Sequence, residues 1–309
     1  MEPSGPLSIK EIALHLAESS SPLRNTELPQ LSNLNSEELA ALKQVWATIP
    51  PERKRQIASR MLELAEDNFE LNFNIIFRSL LTDENAEVRS TAINGLWEDE
   101  DPSLVNTFTK ILEQDSSVKV QAAAALALGK FALMVEYERL RPVYQERISQ
   151  ALLSVINNEK RPVEVRRRAL EAIAPFSLAE VTEVITKSYQ GSNPELKVSA
   201  IYAMGRNCDT RWLPYLLKEL TSTDAQIRYE AASALGELGE EEPVSSIARL
   251  LDDRDRDVQM AAIQALGHIG GVSARNYLKR CLTSNNEAVR QTAESALKEI
   301  DIGEGLLGI

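Results

Sequence analysis

The sequence predicts an all-α protein, a right-handed α-solenoid of about eight stacked helix pairs. Three observations support this prediction. A pattern of apolar and small residues recurs about every 31 residues along most of the 309-residue chain. Within each copy these residues are spaced as on one face of a helix. Aromatic residues make up only 5% of the chain, whereas Ala and Leu are abundant, which suits closely packed helices.

The repeat is clearest in the second half of the chain. Ile227 is followed by Ala231, Ala234 and Leu235, and the same pattern returns 31 residues later from Val258. Spacings of four, seven and eight residues place one stripe on one side of a helix. The first residues of the copies, which we call anchors, are Ile57, Val88, Val118, Val165, Leu196, Ile227, Val258 and Val289. One longer step, from 118 to 165, predicts an insertion near residues 130–147.

Turn-forming residues delimit the repeated helix. Asp or Asn stands three residues before most anchors and is expected to cap the helix N-terminus. These caps are Asn85, Asp115, Asn193, Asp224, Asp255 and Asn286. After the stripe, Gly205, Gly236 and Gly267, with Gly239 and Gly270, are expected to end or loosen the helix. Because one unit cannot bury its stripe alone, the units must stack.

Three regions follow from this pattern. Residues 1–29 form an N-terminal extension, partly disordered, with one short amphipathic helix around residues 9–16 that either docks on the array or stays free. The repeat array occupies residues 30–301, and a capping box at residues 35–38 opens its first helix. Residues 302–309 form a C-terminal tail.

Charge and cysteine content limit the classes of function. The chain has 46 acidic and 34 basic side chains, a formal net charge of -12, which disfavours binding to phosphate backbones. Cys208 and Cys281 are too few and too distant for a disulfide framework or zinc site. We see neither a secretory signal nor an apolar stretch of about 18 residues. We therefore expect a soluble, cytoplasmic protein.

Two segments carry a family resemblance. Residues 255–270, with the run from Ala261 to Gly270, and residues 231–239 resemble the short HEAT-like repeat named after phycobilisome lyases. The resemblance covers roughly residues 36–300 and implies an armadillo-like helical array. The chain also resembles bacterial HEAT-repeat proteins that carry an N-terminal extension. The resemblance implies a scaffold that binds protein partners.

Two groups of enzymes are among the similar proteins, and they need different residues for their activity. Iron-dependent deoxyhypusine hydroxylases build a di-iron site from His-Glu pairs on repeat helices. Here His15 is followed by Leu16 and His268 by Ile269, so the pairs are missing and that activity is not expected. Bilin lyases need few recognisable residues and stay open as an alternative.

Two charged patterns each have two interpretations. A basic residue follows most anchors and either bridges neighbouring repeats or forms a track for an anionic ligand. These residues are Arg89, Lys119, Arg166, Lys197, Arg228 and Arg290. The acidic loop of residues 97–102 is either a solvated turn or a Ca²⁺ or Mg²⁺ site, and its spacing favours the turn. The basic run of residues 160–168 is either a solvated helix start or a contact for phosphate or an acidic partner.

The partner site is predicted from the ridge two, six and nine residues after the anchors, on the presumed concave face. The ridge residues are Asn94, Trp97, Arg167, Glu171, Tyr202, Tyr229, Met260 and Gln264. Its aromatic members either anchor a partner or pack between repeats.

The predicted function is a non-catalytic, monomeric scaffold for a protein or peptide partner. We expect no cofactor, metal, nucleic acid or membrane partner. The alternative is a bilin lyase-like enzyme or a chaperone for a chromophore-bearing protein.

Overall fold

A computed structural model describes residues 7–18 and 20–307, the side chains of residues 303–307 excepted. Regular structure in these residues is helical throughout, which confirms the predicted all-α class. The chain divides into two compact units, Met1–Phe131 and Ala132–Ile309, and each is described by itself.

The first unit begins with a short helix and continues as helix pairs. Its helices are α1 (Ile9–Ala17), α2 (Ser36–Trp46), α3 (Pro51–Asp67), α4 (Asn74–Leu80), α5 (Ala86–Gly95), α6 (Ser103–Gln114) and α7 (Val118–Glu136), whose last five residues belong to the second unit. A 3₁₀ turn, Leu28–Leu31, precedes α2. Ile12, Ala13 and Leu16 on α1 are buried, and the Arg53 Nε donates a hydrogen bond to the Leu16 carbonyl at 2.6 Å. Helix α1 is therefore docked on the unit, where it packs against α2 and is bonded to α3 through Arg53.

The second unit contains the regular 31-residue repeats. Its helices are α8 (Val143–Ile156), α9 (Val163–Ile173), α10 (Ala179–Gln190), α11 (Pro194–Asn207), α12 (Leu213–Glu219), α13 (Ala225–Leu238), α14 (Val244–Ile247), α15 (Arg256–Ile269), α16 (Gly271–Cys281) and α17 (Glu287–Leu307). Helices α9, α11, α13, α15 and α17 pack in this order, each against the next. This layer carries the anchor stripes, whose Ala residues are buried.

Five of the six predicted N-caps are present, whereas Asp115 lies at the C-terminal end of α6 and α7 begins only at Val118. The side chains of Asn85, Asp224 and Asp255 each accept a hydrogen bond from a backbone N–H of the first helical turn. Asn193 and Asn286 do the same at the starts of α11 and α17. Each cap satisfies a donor that the helix itself leaves unpaired.

The prediction for three glycines is wrong. Gly205, Gly236 and Gly267 lie within α11, α13 and α15 and do not end them. A Cβ atom on Gly236 would lie 2.8 Å from the Cα of Ala265 in the next repeat. These glycines are needed because the backbones of neighbouring repeats touch there. Gly239, with a φ of 70°, does end its helix.

The prediction that the chain has no apolar stretch of about 18 residues is wrong for helix α7. Its 19 residues are long and apolar enough to cross a membrane by length and composition, the only such helix in the described ranges. However, 61% of its apolar window is buried inside the structure, and core helices meet the same two criteria. The predicted insertion near 130–147 coincides with the end of this long helix and the connection to α8.

Part of the predicted C-terminal tail, residues 302–309, is helical. Helix α17 continues to Leu307, well into the predicted tail. The remaining parts of these predictions, at residues 1–6, 19 and 308–309, lie outside the described residues.

Candidate functional site

A polar cluster joins three consecutive repeats of the second unit. It consists of Arg167 and Glu171 on α9, Ser199 and Tyr202 on α11, and Glu230 on α13, and we call it the Glu230 site. Three of these residues, Arg167, Glu171 and Tyr202, belong to the predicted ridge. Because the three helices lie side by side, successive repeats bring these side chains together.

Glu171 is held by two donors. The hydroxyl of Ser199 donates to its Oε1 at 2.6 Å, and Arg168 donates from Nη1 to its Oε2 at 2.9 Å. Ser199 in turn accepts a hydrogen bond from the Nε of Arg167 at 3.1 Å. The Glu171 side chain is only 11% exposed, so its carboxylate is a fixed negative charge.

Glu230 lacks such support. Within residues 7–18 and 20–307 its carboxyl group has no hydrogen-bond or salt-bridge partner. Burial raises its pKa to about 7, and the negative charge of Glu171 adds to the effect while Arg167 opposes it. A carboxyl group with such a pKa exchanges a proton near neutral pH, which suits a general acid or base.

The hydroxyl of Tyr202 lies near this carboxyl group. Burial raises the pKa of the Tyr202 hydroxyl against the opposing charge of Arg206, and the charges of Glu171 and Glu230 raise it further. Tyr202 is 41% exposed and Tyr229, on α13, is 37% exposed. The site is therefore open to solvent on its aromatic side.

Sequence reasoning missed Ser199, Glu230 and the supporting Arg168. All three stand three residues after an anchor, at equivalent positions of consecutive repeats. A helix brings residues i and i+3 onto the same face, so this position borders the ridge that was considered. Including it would have identified the cluster.

The other two ridge residues of the second unit lie on α15. Thr292 donates a hydrogen bond to the Met260 sulfur at 3.4 Å, which links α15 to α17. Gln264 is exposed. Met260 thus serves packing between repeats, one of the two interpretations of the ridge.

The remaining ridge residues, Asn94 and Trp97, lie in the first unit. Both are exposed and line a groove of about 670 Å³. The other residues that line the groove are Leu62, Ala65, Glu66, Phe69, Gly95 and Glu98. The predicted residues are therefore divided between the two units.

Among the basic residues that follow the anchors, Arg228 and Arg89 bridge neighbouring repeats, as the structural interpretation predicts, whereas Arg290 contacts the turn before its own helix. Arg228 donates from Nε and Nη2 to the two carboxylate oxygens of Asp253 at 2.8 and 2.7 Å. Arg89 makes the same bidentate pair with Asp115. Arg290 donates to the carbonyl of Ser284. These guanidinium groups are hydrogen-bonded to groups of the protein itself, so these positions do not form a track for an anionic ligand.

The acidic loop is also held by the protein. Arg78 donates to the carboxylates of Asp99 and Asp101, and the Lys130 Nζ donates to the backbone carbonyls of Trp97 and Asp99. Within the part of the chain that the structure describes, there is no group of three or more His, Cys, Asp or Glu residues placed to hold a metal. The loop is a turn, as its spacing indicated.

A family model of HEAT repeats matches residues 76–154 and 213–298, more than half of the chain. A chain from the solved complex of Kap95p with RanGDP has a TM-score of 0.53 and is 14% identical, and the match covers 94% of this chain and 45% of that one. This likeness supports the fold alone. The solenoid architecture is thereby confirmed.

Curated relatives are deoxyhypusine hydroxylases. The protein of that name from Drosophila melanogaster is 32% identical over 102 residues, which cover 32% of this chain and 33% of the relative. The one from Mus musculus is 30% identical over 95 residues, 30% of this chain and 32% of the relative. The match thus spans about a third of the length of each relative.

These relatives overturn two predictions. We expected a scaffold without chemistry, or else a bilin lyase-like protein, and the curated relatives are enzymes of another kind. The error arose because the repeat pattern reports packing between helices and carries no information about catalysis.

The residues present do not fit the di-iron group of those hydroxylases. His15 belongs to the first unit, where its Nδ1 lies 3.2 Å from Glu27, and His268 belongs to the second. Among the residues that the structure describes, no cluster of His and carboxylate side chains exists that could hold iron.

Proposed function

The chain belongs to the HEAT-repeat family, and we propose that it is an enzyme that acts on an amine-bearing substrate at the Glu230 site. The observation that carries the proposal is the carboxyl group of Glu230, whose pKa of about 7 lies near neutral pH. A general base works best when its pKa is close to the working pH.

Charge supports an amine as the substrate. Glu171 holds a fixed negative charge beside Glu230, so a second carboxylate there is disfavoured unless a cation lies between them. A bound alkylammonium group supplies that cation. The net charge of -12 attracts cations to the protein as a whole. The relatives, named for deoxyhypusine, act on an amine-bearing amino acid, which agrees with this class.

Each side chain then has a defined task. Glu171, fixed by Ser199 and Arg168, binds the ammonium group of the substrate. Glu230 takes up the proton that the amine loses as it reacts. The exposed ring of Tyr202 packs on the alkyl chain and keeps water from one side of the amine. Hydroxylation is not the proposed reaction, because the donor set for iron is missing from residues 7–18 and 20–307.

The repeats themselves are proposed to be of the short type named after phycobilisome lyases. The support is the 31-residue step between anchors, which is shorter than that of ordinary HEAT repeats. This classification concerns the repeat and carries no bilin chemistry.

Calorimetric titration with spermidine, and with a deoxyhypusine-containing peptide, tests the proposal. At a pH near 7 about half of Glu230 is protonated, so a bound ammonium should expel about half a proton per site. Titrations in buffers of different ionisation enthalpy measure the number of protons released on binding. Glu230→Gln should abolish the release, and Glu171→Gln should weaken binding about tenfold or more. Glu242→Gln, an exposed carboxylate on the loop before α14, is the matched control.

Two outcomes contradict the proposal. The first is binding of neither amine at about 1 mM, or binding with the same proton release in Glu230→Gln. The second is a gain of one oxygen atom by the peptide after iron is added, detected by intact mass. That result would restore the hydroxylase reaction and remove Glu230 as the reacting group.

A further inference from the structure

The first unit exposes two aromatic side chains in one groove. Phe69 is 96% exposed and Trp97 is 52% exposed, and both line the groove of about 670 Å³ between the ends of α3 and α5. That volume lies in the range of ligand pockets, about 300–1,000 Å³. Large aromatic side chains exposed together mark binding surfaces more often than chance exposure does.

Both aromatic residues are presented by fixed turns. The side chain of Asn68 caps the turn after α3 by accepting a hydrogen bond from the Glu70 N–H at 3.0 Å. Beyond α5, the ammonium of Lys130 donates to the carbonyls of Trp97 and Asp99. Gly95 packs against the Phe77 ring so closely that a Cβ atom would lie 2.5 Å from it. The groove is thus formed before a ligand arrives, which lowers the entropic cost of binding.

The electrostatics of the groove select a cation. Glu66 and Glu98 line it, and neither forms a salt bridge with any described residue. Helices α3 and α5 both end at the groove, and helix C-termini carry partial negative charge. The faces of Trp and Phe rings also attract ammonium and guanidinium groups.

We propose that this groove binds a basic peptide segment, with a lysine or arginine between the two aromatic rings and an adjacent apolar side chain on Leu62 and Ala65. Charge complementarity with Glu66 and Glu98 selects this occupant over an acidic or purely apolar one. The groove shares no residue with the Glu230 site, so the proposal stands or fails independently of the proposed function.

Fluorescence titration measures the binding directly. The chain has three tryptophans, and Trp46 and Trp212 are 7% and 1% exposed, so a ligand in the groove changes the emission of Trp97. The probe is the peptide acetyl-Leu-Lys-Ala-Leu-Lys-amide. The comparison peptide has norleucine in place of both lysines, which keeps the aliphatic chain and removes the charge.

Four variants locate the site. Calorimetry should show that Trp97→Ala weakens binding of the lysine peptide about tenfold and Phe69→Ala by a similar factor. Glu66→Gln and Glu98→Gln should each weaken it about threefold and reduce its dependence on salt. Tyr137→Ala removes an exposed aromatic side chain that does not line the groove and is the matched control. All these side chains are exposed, so the variants should fold.

Three results would overturn the proposal. Equal affinity for the norleucine peptide would show that the groove takes apolar chains without a cation. Unchanged affinity in Trp97→Ala would place binding elsewhere. Concentration-dependent dimerisation that Trp97→Ala abolishes, seen by sedimentation velocity, would make a second copy of the chain the occupant.

Discussion

Replacing Arg228 with methionine tests the contacts that tie one repeat to the next. The guanidinium on α13 pairs with Asp253, which lies in the turn before α15, and also donates to the Ser222 carbonyl at 2.8 Å. The Arg228 and Asp253 side chains are 7% and 8% exposed. In Arg228→Met the buried carboxylate of Asp253 keeps, among the described residues, only the N–H of Asp255 as a donor.

The magnitude follows from that burial. Removing one partner of a buried ion pair costs about 3–5 kcal/mol, because the other charge stays desolvated without compensation. The m-value rises with protein size from about 1–3 kcal/mol/M for small proteins, so in this 309-residue chain the urea midpoint should fall by about 1 M. Urea unfolding followed by circular dichroism measures the midpoint at neutral pH.

Arg211→Met is the matched control. Arg211 also pairs with an aspartate, Asp209, but the two side chains are 56% and 33% exposed. Exposed pairs contribute less than about 1 kcal/mol, so this midpoint should hardly move. Equal midpoint shifts in Arg228→Met and Arg211→Met would refute the role of burial.

Four further outcomes are expected. Gly236→Ala should lower the free energy of unfolding by about 1–2 kcal/mol in urea titrations, since overpacking against Ala265 outweighs the gain in helix propensity. Ala262→Leu, at a fully buried position, should cost about 1–3 kcal/mol in the same assay. Hydrogen bonds from Arg228 lower the pKa of Asp253, so the stability from this pair should be lost as pH falls from about 4 through the folded-state value. Burial raises the pKa of Glu230 to about 7, so the folded state binds more protons than the unfolded state between about pH 4.5 and 7. Glu230→Gln should therefore raise the thermal midpoint more at pH 8 than at pH 5.

Controls separate these effects from general destabilisation. Gln264→Leu adds a larger apolar side chain at an exposed position of α15 and should leave the urea midpoint almost unchanged. If Ala262→Leu has the urea midpoint of the wild type, the anchor stripe does not face the neighbouring helix. In the pH experiment, Glu242→Gln is the control. It should change the thermal midpoint, relative to the wild type, by the same amount at pH 5 and at pH 8. A stability gain in Glu230→Gln that is independent of pH would contradict the raised pKa.

Much of the fold could be predicted because its causes are local in sequence. The anchor stripe and the capping residues Asn85, Asp224 and Asp255 specify where a helix begins and which face it buries. The candidate site was predicted only in part. Arg167, Glu171 and Tyr202 were identified from the exposed ridge, but Glu230 was missed, because its raised pKa depends on burial by neighbouring repeats.

The glycines also separate what the sequence determines from what the tertiary structure determines. The sequence alone determined the period and the helical class, since these depend on spacing along one chain. Only the tertiary structure decided that Gly236 lies against Ala265 and that Glu230 faces Glu171. Both depend on how closely neighbouring helices approach, and that separation is determined by packing of the whole layer. The tertiary structure also decided that the acidic loop is held by Arg78 and Lys130, which come from two other helices.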